Sequence, residues 1–135
     1  MRGYKLVLTI GVLIVVAVGF GFVWGASGRT IAQRALDAAR QQLDVAEARG
    51  HILDARVSLY NVNFGDAQRQ LDDARAPLTR ARDRAQSQGN DNTAKALSGA
   101  LTHVEDAQRL ASRLDPNANN EANEALKSIQ IAMTK

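Results

Sequence analysis

Residues 6–24 read LVLTIGVLIVVAVGFGFVW and contain no charged side chain. As a helix, this stretch measures about 29 Å, close to the thickness of the hydrocarbon core of a bilayer. The basic residues Arg2 and Lys5 precede it, and the aromatic residues Tyr4 and Trp24 lie at its two ends, where such side chains favour the membrane interface. The pattern predicts a short basic tail over residues 1–5, a transmembrane helix over residues 6–25 and a hinge over residues 26–29.

A cleaved signal peptide is the alternative interpretation of this segment. Its apolar run would be longer than the usual length of about 7–15 residues, and cleavage after Ala26 would leave Trp24 where a small residue is preferred. We therefore expect a retained, single-pass anchor in the inner (plasma) membrane. The short basic tail favours a cytoplasmic N-terminus and a periplasmic C-terminal domain. The basic residues just after the span nearly balance that tail, which leaves the opposite orientation open.

Apolar residues recur at every third or fourth position through residues 30–135, and short polar segments separate four such runs. This spacing is typical of amphipathic helices and coiled coils. We predict an all-α fold, an antiparallel, alanine-rich four-helix bundle with a long first helix. The predicted helices cover residues of about 30–61, 66–86, 92–114 and 116–133. The predicted first seam consists of Ala32, Leu36, Ala39, Leu43, Ala46, Gly50, Leu53, Val57, Tyr60 and Phe64.

Three further seams and the turns between them complete the predicted bundle. Gly65 or Asn63 is expected to take a left-handed conformation, with Asp66 as the N-cap of the second helix. Gly89 is expected just after the C-cap of that helix, and Pro77 is expected either to kink or to split it. The seams are Ala67, Leu71, Ala74, Leu78, Ala81 and Ala85; then Leu97, Ala100, Val104, Ala107, Ala111 and Leu114; then Ala118, Ala122, Ala125, Ile129 and Ala132, widened by Leu126 and Met133.

Phe64, Ala67, Leu71 and Ala74 have the spacing of the second helix of a tetratricopeptide repeat, and Ala55 fits its first helix. Over about 25 residues the chain therefore resembles that family, which implies a helical module that binds peptides. Pro77 comes early for the motif and no clean repeat of about 34 residues follows. Heptad packing explains the same residues, and no peptide-binding residue is carried over.

The chemistry-bearing residues are few. Without Arg2 and Lys5 the domain has 15 basic and 14 acidic residues, which disfavours nucleic-acid binding. The two histidines, His51 and His103, lack the helical spacing of metal ligands, and alanine-lined seams leave little room for a cofactor. We predict no enzymatic activity, no cofactor and no metal site.

Three sets of residues are candidates for binding. Ala17, Gly21 and Gly25 form a ridge of small residues on which another membrane helix can pack, although glycine is also common in lipid-facing spans. The second set is a group of arginines that can contact lipid headgroups or an acidic partner, although a plain solvated face is the alternative. Tyr60, Val62 and Phe64 at the first turn can contact a partner or close the end of the bundle. The arginines are Arg75, Arg80, Arg82 and Arg84.

The sequence therefore predicts a membrane-anchored structural or interaction protein. We expect a small accessory or scaffold subunit of a larger membrane complex, whether photosynthetic, respiratory or of the envelope. Its expected partners are the lipid bilayer and other membrane subunits, and self-association is a further hypothesis because an alanine-rich core buries little apolar area. The alternative is a single-pass sensory or adaptor bundle, tetratricopeptide-like, that binds a soluble peptide or ligand.

Overall fold

The computed structural model describes the backbone of residues 3–134 and the side chains of residues 31–134. This backbone contains four helices and no strand, which confirms the predicted all-helical, four-helix fold for the described chain. The chain divides into two compact units, Met1–Asp37 and Ala38–Lys135, and the helical bundle belongs to the second. The helices are α1 (Gly3–Tyr60), α2 (Phe64–Ser87), α3 (Asp91–Ser112) and α4 (Ala118–Met133).

The predicted tail, span and hinge over residues 1–29 concern side chains that lie outside the described residues. The division of the chain into tail, span, hinge and bundle therefore stays a prediction. In the part of the chain whose side chains are described, no helix has the length and apolar character needed to cross a membrane.

Pairs of polar side chains show the direction in which neighbouring helices run. Ser58 Oγ donates a hydrogen bond to Gln70 Oε1 at 2.8 Å, which joins the end of α1 to the first turns of α2. Arg56 Nε donates to Asn119 Oδ1 at 3.0 Å, which joins the same part of α1 to the start of α4. The end of one helix thus meets the beginning of another, as in an antiparallel bundle.

The core follows the predicted seams of α2, α3 and α4. Each of the six predicted residues of α2 is buried, and α3 and α4 depart from the prediction only near their C-terminal ends, where Leu114 and Met133 are exposed. Alanine accounts for 13 of the 22 buried apolar residues in the described part of the chain, so the helices can approach closely.

The predicted seam of α1 is wrong, because the helix turns its other side to the core. The predicted residues Leu43, Leu53 and Val57 are 69%, 42% and 61% exposed. At about 100° per residue, the predicted and the buried rows lie on nearly opposite sides of the helix. In both rows the residues are spaced by three and four positions, so the spacing alone does not show which row is buried. The buried row is Val45, Ala48, Ile52, Ala55 and Leu59.

The turn between α1 and α2 also differs from the prediction. Val62 takes the left-handed conformation with φ of 59°, where we expected Gly65 or Asn63. Asn63, not Asp66, is the N-cap of α2, since its side chain accepts a hydrogen bond from the backbone N–H of Asp66. Pro77 does not split α2, which is one helix from Phe64 to Ser87.

In the two later turns, the side chains of Asn90 and Asp115 accept backbone hydrogen bonds at the start of α3 and just before α4. Gly89 has a φ of 71° just after the C-cap of α2, which confirms the prediction, and the Asn90 side chain caps α3 by accepting from the N–H of Thr93. Before α4, Asp115 Oδ1 accepts a hydrogen bond from the N–H of Asn117 at 2.9 Å. Pro116 lies two residues before α4, which begins at Ala118.

We expect that Val62→Gly stabilises the bundle by about 1 kcal/mol. A β-branched residue is strained in the left-handed region, whereas glycine adopts it freely. The Val62 side chain is exposed, so little packing is lost. Thermal unfolding of the full chain followed by circular dichroism measures the change. Val62→Ala, which keeps the Cβ atom, should recover only a small part of the gain; an equal gain would contradict this explanation.

Candidate helix-docking surface

The exposed side of α1 carries a row of apolar residues, which we call the outer stripe. Its spacing alternates between three and four residues over the last turns of the helix. Tyr60 at its end is 84% exposed, and Gly50 at its centre has open space where a Cβ atom would lie. A helix face in contact with water is normally polar, so this row is the feature of the described chain that most needs a partner. The outer stripe is Leu43, Ala46, Gly50, Leu53, Val57 and Tyr60.

Charged residues border the outer stripe on both sides. Arg49 and Arg56 lie along one flank, and Glu47 and Asp54 lie along the other. Arg56 binds Asn119, and Glu47 Oε2 accepts from Arg80 Nη2 at 3.0 Å. Within the described part of the chain, Arg49 and Asp54 have no ion pair. Both remain available to charged groups on a molecule that covers the stripe.

The candidate arginines of α2 all contact acidic residues of the chain itself. Arg75 lies 3.4 Å from Asp72 and 3.3 Å from Glu105, and Arg82 lies 2.7 Å from its neighbour Asp83. As a contact for lipid or a partner, this set stays a prediction. The paired charges leave less free positive charge on this surface than the sequence suggests.

Arg80 and Arg84 lie on one face of α2, as predicted, and together they hold the carboxylate of Asp44 on α1. Arg80 Nε donates to Asp44 Oδ1 at 2.9 Å, and Arg84 Nη2 lies 3.2 Å from Asp44 Oδ2. Asp44 is one of two buried polar residues described. The hydrogen bond to Asp44 raises the pKa of Arg80 above its ordinary value, because it stabilises the charged guanidinium. This ionic clamp joins α1 to α2 next to the buried residue Val45.

The aromatic set at the first turn divides between core and solvent. Phe64 packs against the core, whereas Tyr60 and Val62 are exposed. Phe64 is thus partly buried, and Tyr60 and Val62 are the residues of this set that a partner can reach. Their role in binding stays a prediction.

His103 has a partner that sequence spacing could not show. Its Nδ1 lies 2.8 Å from Glu121 Oε2, so the contact joins α3 to α4. A long-range pair of this kind leaves no local pattern in the chain. Across the described residues, no group of three or more histidine or acidic residues is arranged to hold a metal ion.

An open cleft of about 710 Å³ lies between α2 and α3. Leu101 and Ala76 line it together with Thr79 and Thr102, and so do both members of the Arg75–Glu105 ion pair. Charged and hydroxyl-bearing side chains thus make up most of the lining of the cleft.

The third candidate set, Ala17, Gly21 and Gly25, lies outside the residues whose side chains are described. The ridge of small residues therefore stays a prediction. In comparisons with known proteins, no family model, no curated protein and no solved structure matches this chain.

Proposed function

We propose that this chain is a membrane-anchored structural or interaction protein that uses the outer stripe of α1 to bind another helix within a membrane complex. The observation that carries the proposal is the exposure of an apolar row with coiled-coil spacing on a helix whose opposite side already packs in the bundle. The role is that of a small accessory or scaffold subunit, whether the complex is photosynthetic, respiratory or of the envelope.

The proposed location follows from the uncharged segment at residues 6–24. We place the chain in the inner membrane with a single span, its N-terminus in the cytoplasm and its bundle in the periplasm. The span would hold the bundle beside other membrane subunits, and Ala17, Gly21 and Gly25 would pack against one of their helices. Anchoring also raises the local concentration of any partner in the same membrane, so a modest interface suffices.

The test is the size of the complex that the full chain forms in mild detergent. We expect the wild-type chain to elute in a complex larger than its own monomer, and Val57→Arg to release it, because a charge in the apolar row must be desolvated on binding. Size-exclusion chromatography with light scattering measures both states.

Ile131→Arg is the matched control, since Ile131 is a similarly exposed aliphatic residue (67%) on α4, outside the outer stripe. It should leave the complex intact. A wild-type monomer in mild detergent would contradict the proposed function. Equal effects of the two substitutions would show that the stripe is not the contact.

The second candidate is a sensory or adaptor bundle that binds a soluble peptide or ligand. The cleft between α2 and α3 is the observation that favours it. On this alternative, Thr102→Trp, which fills the cleft, would abolish partner binding in a pull-down from membrane extract. Val57→Arg would then leave binding unchanged.

A further inference from the structure

Resting on the proposed function, we propose that the partner of the outer stripe is a second copy of this chain, aligned parallel and in register as a two-stranded coiled coil. Residues 43–60 supply alternating seam positions, and Ala39 continues the same spacing. From Ala39 to Tyr60 these positions cover about three heptads, a length at which sustained heptad spacing indicates a coiled coil.

The geometry of α1 explains why one helix can serve two interfaces. The buried row faces the core at Val45, Ile52 and Leu59, and the outer stripe runs along the other side with the same heptad spacing. A second copy can therefore pack on the stripe without displacing any core residue. The contact is isologous, because the same surface is used by both copies.

The charges along the stripe select the second copy and its direction. Between Leu43 and Tyr60, the charged residues of one flank are Arg49 and Arg56, and those of the other are Glu47 and Asp54. In a parallel coiled coil, the basic flank of each helix faces the acidic flank of the other, and such flanking charges set partner choice and orientation.

Arg49 and Asp54 are five positions apart, the separation at which flanking residues of parallel helices meet. Each lacks an ion pair within the described chain, and two-fold symmetry would form the contact twice. One heptad earlier, the same separation of five positions places Gln42 opposite Glu47 of the second copy. Gln42 is neutral, so this pair is not repulsive. An antiparallel pair would instead bring each flank against its own kind, arginine against arginine and carboxylate against carboxylate, which is repulsive.

Single cysteines at the two ends of the stripe test the partner and its direction, since the chain has no native cysteine. Leu43 and Tyr60 are 17 residues apart (60 − 43), or about 25 Å along a helix. In a parallel pair each position faces itself, so L43C alone and Y60C alone should both form disulfide-linked dimers in native membranes treated with a mild oxidant. I131C on α4 is the control and should not crosslink.

The other possible outcomes separately test the parallel arrangement, the identity of the partner and the proposed function. Crosslinking only when L43C and Y60C chains are mixed would show an antiparallel pair and overturn the parallel arrangement. Crosslinks to a different protein would overturn the second copy while supporting the proposed function. A chain that stays monomeric and uncrosslinked at both positions would overturn both.

Gly50→Leu provides an independent measurement on the full chain. Gly50 has open space around it, and in the paired state a leucine would fill the gap in the seam. We expect the dissociation constant of the dimer in mild detergent to fall by at least about tenfold. Gly65→Leu also enters open space but lies outside the stripe, and it should leave the constant unchanged. Equal constants for wild type and Gly50→Leu would overturn the proposal.

Discussion

Ile52→Asp is expected to unfold the bundle, whereas Leu53→Asp at the next position is expected to leave it folded. Ile52 is fully buried in the core, so the substitution removes a large apolar side chain and places a charge where it has no partner. We expect a loss of about 5 kcal/mol or more in the free energy of unfolding, comparable to the total stability of a small domain. Thermal unfolding of the full chain by circular dichroism measures it.

Leu53 belongs to the outer stripe and is 42% exposed, so Leu53→Asp should lower the stability of the single chain by about 1–2 kcal/mol, well below the loss expected for Ile52→Asp. The comparison is made at a protein concentration at which the chain is monomeric, because Leu53→Asp should also weaken association. Two adjacent positions with the same new side chain thus separate the two faces of α1. If Leu53→Asp unfolds the domain and Ile52→Asp does not, the orientation of α1 is wrong.

Asp44→Ala is expected to lower the free energy of unfolding by about 2–3 kcal/mol. This loss is smaller than the loss of about 3–5 kcal/mol that follows when one partner of a fully buried ion pair is removed. Asp44 is buried, and its carboxylate holds the partly exposed side chains of Arg80 and Arg84 of α2 against α1. The expected loss is moderate because both arginines can turn toward water once the carboxylate is gone. Urea denaturation of the full chain, followed by the helical circular dichroism signal, measures the change.

Asp83→Ala is the matched control for the ionic clamp. Asp83 also contacts an arginine, Arg82, but it is exposed and its partner is the preceding residue on the same helix. Exposed pairs of this kind contribute little, so we expect a change of about 0.5 kcal/mol or less. A loss as large as that of Asp44→Ala would show that general charge balance, not the clamp between α1 and α2, stabilises the domain.

Sequence reasoning found the residues of the outer stripe but assigned them to the core. Leu43, Leu53 and Val57 form part of the longest unbroken seam in the chain, and the row at Val45, Ile52 and Leu59 on the other side of the helix was not identified. A usable signal was present, because α1 has two apolar rows on opposite sides and a bundle needs only one of them. A helix with two such rows is typical of one that packs against two neighbours.

The sequence by itself determined the all-helical fold, most of the seams of α2 to α4 and the left-handed glycine at Gly89. These features depend on local spacing and turn chemistry, which are written in neighbouring residues. Only the tertiary structure decided which side of α1 is buried, which residues bind Asp44, and that Val62 takes the strained turn position. Such features depend on side chains from distant parts of the chain meeting across the bundle, and no local pattern encodes those contacts.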